Sequence, residues 1–85
     1  MEKPDWWEWE LELTSHIEKR MEERGFTEVD LRAMLEVADA IRPDIVEGRW
    51  IVGARHARRR WEIIVEPDEA ERRVVAVTAY TVKRR

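Results

Sequence analysis

Residues 73–82 read Arg73-Val74-Val75-Ala76-Val77-Thr78-Ala79-Tyr80-Thr81-Val82, and this stretch decides the fold. In strict alternation Val75, Val77, Ala79 and Thr81 face one way and Val74, Ala76, Thr78, Tyr80 and Val82 the other. Both faces are largely apolar, which predicts the central strand of the sheet. Upstream, residues 49–55 and 60–66 are rich in Val, Ile and Trp and predict two more strands, with turns at His56 to Arg59 and at Pro67-Asp68-Glu69-Ala70. Near the start, Trp7, Trp9, Leu11 and Leu13 alternate with Glu8, Glu10 and Glu12. That pattern predicts a half-buried edge strand whose glutamates discourage further pairing.

Between these strands the period changes. Ser15 and Glu18 have the spacing of a capping box, so a helix is expected from His16 to Gly25, a residue suited to the left-handed cap. Thr27 and Asp30 form a second box, with Phe26 and Leu31 placed as a hydrophobic staple. Leu31, Met34, Leu35 and Ala38 continue at helical spacing, and Pro43 closes the segment. The expected class is α+β in the order β-α-α-β-β-β. Two helices pack on one face of a four-stranded, mainly antiparallel sheet, leaving the other face for a ligand. No linker or repeat interrupts the chain, so residues 1–85 are expected to form one domain.

A chain of 85 residues buries about 60% of its unfolded surface, and five Trp with Phe26 and Tyr80 must supply much of the core. With no cysteine, disulfide scaffolds, thiolate zinc sites, redox pairs and cysteine nucleophiles are excluded. The chain suits a reducing cytoplasm. The acidic Met1 to Glu10 lacks the basic-then-apolar pattern of a secretory signal, and Val74 to Val82 is far shorter than a membrane span of about 20 residues. No membrane role is expected.

Net charge is −3, yet residues 1–47 carry −8 and residues 48–85 carry +5. From Gly48 to Trp61 lie Arg49, Arg55, Arg58, Arg59 and Arg60, with His56 and no carboxylate. This reads either as an anion-attracting surface or as a solvated hairpin whose arginines pair with the acidic first half.

His16, Arg20 and Arg24 fall at i, i+4 and i+8 and share one side of the first helix. Imidazole and guanidinium suit phosphodiester chemistry, whereas Glu18, Glu22 and Glu23 offer the stripe local partners. Thr78 and Tyr80 share a strand face and present hydroxyls to a cleft or to the core. His56 reads as a polar turn residue. His16 and His56 do not make a metal site, and no phosphate loop or other cofactor motif is present. Trp6 lies off the Trp7 and Trp9 side and is either core or an anchor for a partner.

The run Ser15-His16-Ile17-Glu18-Lys19-Arg20-Met21-Glu22-Glu23-Arg24-Gly25, with the closing Val75-Ala76-Val77-Thr78-Ala79-Tyr80, resembles a bacterial domain family of unknown function. The likeness covers roughly residues 7–82. Such domains are similar to the RelE/ParE-like toxins and the wider barnase, colicin and RelE ribonuclease group. The resemblance implies a toxin-like, metal-independent endoribonuclease acting on RNA, on or off the ribosome, beside a cognate antitoxin protein. It carries His16, Arg20, Arg24 and Tyr80 over as catalytic positions. Arg55, Arg59, Arg60 and Thr78 are expected to bind RNA, and no cofactor is required. The alternative expectation is a non-catalytic module of the same fold that engages a protein partner. ParE-like relatives act on gyrase, so likeness of fold does not decide activity.

Overall fold

The structure, a computed structural model, describes residues 2–83. After a 3-10 turn, Asp5–Glu8, the elements are β1 (Glu10–Leu13), α1 (Ser15–Arg24), α2 (Glu28–Glu36), β2 (Ala40–Pro43), β3 (Trp50–His56), β4 (Arg59–Asp68) and β5 (Arg73–Val82). They form an α+β fold with one five-stranded mixed sheet in the order β1-β5-β4-β3-β2. β1 runs parallel to β5 and the other neighbours are antiparallel.

The expected four-strand sheet therefore needs correcting. Residues 40–43 are not the end of the second helix. α2 stops at Glu36, and β2 then pairs with β3 from Ala40↔Gly53 to Pro43↔Trp50. Pro43 sits on an outer strand, where its missing N–H costs no ladder bond. The first strand is also shorter than the alternation implies. A strand would send Trp6 and Trp7 to opposite faces. The 3-10 turn instead lets Trp6 stack near both Trp7 (5.8 Å) and Trp50 (6.1 Å).

Caps define both helices. Thr14, rather than Ser15, caps α1 by accepting from the Ile17 N–H, and Gly25 closes it in the left-handed conformation. Thr27 and Asp30 form the expected capping box of α2. Both helices cover one face of the sheet, where Ile17, Phe26, Leu31 and Met34 bury against Val52, Ala54, Trp61, Ile63 and Val65. Leu11 and Leu13 of β1 pack at its margin.

The register of β5 against β4 shifts between Ile64 and Val65: Ile64 faces Thr78 while Val65 faces Ala76. Val77 is thus an extra residue, and the bulge changes which side chains share a face. Val74, Ala76 and Ala79 are buried in the core. Val75, Thr78 and Tyr80 fall on the open face, so the strict alternation expected for this strand fails at Val77. The central place expected for β5 is taken by β4; β5 lies one strand in from the edge, where only the short β1 covers its outer side.

Candidate functional site

The strand directions sort charge to the two ends of the sheet. At one end β3 turns into β4 through Ala57 and Arg58, both with positive φ (50° and 65°). Arg55, Arg58 and Arg59 are exposed here and make no hydrogen bond or ion pair among the described residues. Pairing of Arg60 with Val82 brings Lys83, the next residue, to the same end. The carboxylates nearby are already engaged. Asp30 contacts His56, and Asp39 accepts from Arg60 at 2.7 Å.

His56 is tied to α2. Its Nε2 lies 3.2 Å from Oδ1 of Asp30, whose Oδ2 accepts from the Thr27 backbone and hydroxyl. Those Thr27 bonds, then the His56 contact, hold the Asp30 carboxyl below its usual range. An ionised carboxylate only accepts, so Nε2 carries the proton in this pair. The sequence marked His56 as a turn residue. Its bond to Asp30 had no local signal, because the partner stands 26 positions away.

The proposed catalytic stripe lies on the helical side. His16 is exposed and has no hydrogen-bond partner among the described residues. Arg20 pairs with Glu23 at 2.5 Å, which lowers the Glu23 carboxyl. Arg24 donates from Nη1 to the Ala79 carbonyl at 2.5 Å. That carbonyl is on the free length of β5, because β1 pairs only with Arg73 to Ala76. Thr14 covers the preceding stretch, its hydroxyl donating to Ala76 O and Val77 O. α1 therefore runs beside the free edge of β5.

Tyr80 and Thr78 lie on the opposite face, and Tyr80 reaches away from that edge toward β4. The Tyr80 hydroxyl donates to Glu62 Oε1 at 2.9 Å, and Glu62 Oε2 accepts from Arg42 at 2.9 Å. Burial first, then the neighbouring Glu62, push the Tyr80 phenol above its usual value. No local pattern marks Glu62 or Arg42, which stand 18 and 20 positions from the partners they hold. The structure thus gathers Arg55, Arg60, Thr78 and Tyr80 on the open face, and His16, Arg20 and Arg24 on the helical side. Arg59, opposite His56, belongs with the helical side.

One guanidinium is locked rather than free. Arg60 reaches Asp39 by crossing above Gly53, where a Cβ would come within 2.5 Å of Arg60 Nη2. The bond to Asp39 raises the pKa of Arg60 and lowers that of Asp39. At the other end of the sheet the surface is apolar and acidic. A groove of about 500 Å³ is lined by Trp6, Trp7, Trp9, Leu35 and Val74 together with the charged Lys3, Glu8, Arg32 and Glu36. Asp44, Glu47, Glu69 and Glu71 occupy the loops of that end.

Among the described residues no group of three or more His, Asp or Glu side chains is placed to hold a metal ion. No helix among the described residues is long and apolar enough to cross a membrane. No curated protein and no solved structure matches the chain. Residues 13–81, from the last residue of β1 almost to the end of β5, match one family profile. The chain belongs to the family described as a domain of unknown function, DUF4258.

Proposed function

We propose that this domain is a toxin-like, metal-independent endoribonuclease that works along the α1 side of the free β5 edge. The observation that carries the reading is the stripe on α1: an exposed imidazole at His16 with no hydrogen-bond partner among the described residues, and guanidinium groups one and two turns on. At 1.5 Å per residue the three groups step along the helix about 6 Å apart. The ribose 2′-oxygen attacks the adjacent phosphorus, the 2′-O–P bond forms and the P–O5′ bond breaks. The products are a 2′,3′-cyclic phosphate and a 5′-hydroxyl. His16 takes the 2′-hydroxyl proton while water protonates the departing 5′-oxygen, or it protonates that oxygen while water takes the 2′-hydroxyl proton. Arg20 and Arg24 balance charge on phosphate, since the exposed Arg20–Glu23 pair exchanges readily and Arg24 spends only part of its donor fork on Ala79. Tyr80, turned by Glu62 toward β4 and away from that edge, orients RNA on the open face rather than meeting His16. A cognate antitoxin protein belongs to the same reading.

Cleavage of a defined RNA pool with EDTA present tests it. His16→Ala is expected to lower the rate by about 10²- to 10⁴-fold. Equal rates for parent and variant would remove His16 from the mechanism.

The second reading is a non-catalytic module that engages a protein partner. It draws on the tryptophan-lined groove, since large aromatic anchors dominate protein recognition. RNA binding that is absent at about 50 mM salt moves the choice to it.

A further inference from the structure

We infer that the β3–β4 hairpin tip is a phosphate-backbone binding site for RNA, with Arg58 at its centre and Arg55, Arg59 and Lys83 around it. The inference rests on the RNA-directed reading above and adds to it where the strand is held. Four observations converge on it. Arg55, Arg58 and Arg59 are exposed and free of carboxylates among the described residues. Asp30 and Asp39 are engaged by His56 and Arg60, Glu62 by Arg42 and Tyr80, and Glu28 by Arg32. Register places Lys83 beside them.

The fourth observation is the backbone. A two-residue hairpin turn with both φ positive favours Asn-Gly, because other side chains are strained there. This chain places Ala57 and Arg58 at those positions. The side chain of Arg58 gains nothing inside the molecule for that strain, since it touches no partner among the described residues. Strain of this kind concentrates at positions that serve a function. An exposed guanidinium at the apex, flanked by like charges that repel when empty, gains by meeting phosphates. Arg60 is excluded from the set, because Asp39 holds it over Gly53.

The test is binding of a short labelled 2′-O-methyl RNA, which cannot be cleaved, from about 50 to about 200 mM salt. Arg58→Asn suits the left-handed backbone and removes the charge. Its melting temperature is expected to equal or exceed the parent's, while the log–log salt slope loses about 0.7. Arg55→Gln with Arg58→Asn and Arg59→Gln is expected to lose about 2. Ala57→Gly relieves strain without touching charge and is expected to raise the melting temperature and leave the slope unchanged. A matching DNA oligonucleotide bound with similar affinity supports backbone contact, whereas equal slopes for the parent and both arginine variants overturn the inference. Cleavage that persists with unchanged slopes sinks the tip site alone. Tip-dependent binding without cleavage sinks the nuclease reading alone.

Discussion

At the hairpin end of the sheet the chain reverses in two residues and leaves three arginines bare; at the opposite end longer loops carry acids around four indoles. The first end is closed beneath its charges. Trp61 is 5% exposed, meets Phe26 edge-on at 5.1 Å, and donates from its indole nitrogen to the His56 carbonyl. The second end is half open, with Trp6, Trp7, Trp9 and Trp50 only partly buried. Strand direction, rather than the division of the sequence into an acidic and a basic half, sets this charge axis: Glu69 and Glu71 of the basic half lie at the acidic end. On the proposed reading, the acidic end repels a nucleic acid and turns the basic end toward it.

The largest test of this contrast compares two tryptophans by urea denaturation. Trp61→Ala is expected to cost about 3–5 kcal/mol, the range for emptying an aromatic core site. Trp6→Ala is expected to cost about 1–2 kcal/mol, because a half-exposed indole loses only part of the burial term. Equal losses would mean that both ends are packed alike.

A smaller effect separates held polar groups from the bare tip. Tyr80→Phe removes the bond to Glu62, which keeps Arg42, and is expected to cost about 0.5–1.5 kcal/mol. The phenol pKa is raised in the folded state. Its contribution is therefore complete below pH about 10 and is lost as pH rises through the folded value. Tyr80→Phe should flatten that alkaline limb in stability measured against pH.

The smallest effect is at Asp30, an exposed carboxyl held below its usual value by Thr27 and His56. Stability from this group is present above pH about 4 and is lost as pH falls through the folded value. Asp30→Asn should weaken the acid dependence of melting. An unchanged acid limb would mean that the clasp between α2 and the hairpin contributes nothing.

The parts legible in the sequence were those set by local pattern. The strands from Trp50 onward, the Thr27 box and the α1 stripe all follow from neighbours within a few residues. β2 escaped because Leu31 to Ala38 keep helical spacing up to its start, and its strand character comes from pairing with Gly53 and Trp50. The bulge at Val77 has no glycine to announce it. For the same reason the Glu62 clasp on Tyr80 and the Arg60 bridge over Gly53 were illegible, since each needs strands already side by side. Trp6 and Trp7 misled because adjacency of two indoles outweighs alternation once a 3-10 turn can bury parts of both.

The parallel pairing of β1 with β5 also orders events in time. Thr14 meets Ala76 across 62 positions, whereas the other strand pairs connect through the successive β2–β3, β3–β4 and β4–β5 reversals. Closing the longest loop has the largest entropic cost and gains only a four-residue ladder, so β1 docks last during folding. By the same balance it is the first segment to detach in the folded protein, and the indoles of the 3-10 turn leave with it. Amide exchange at Leu11 and Leu13 should outrun exchange at Ile63, and tryptophan emission should shift before the sheet as a whole unfolds.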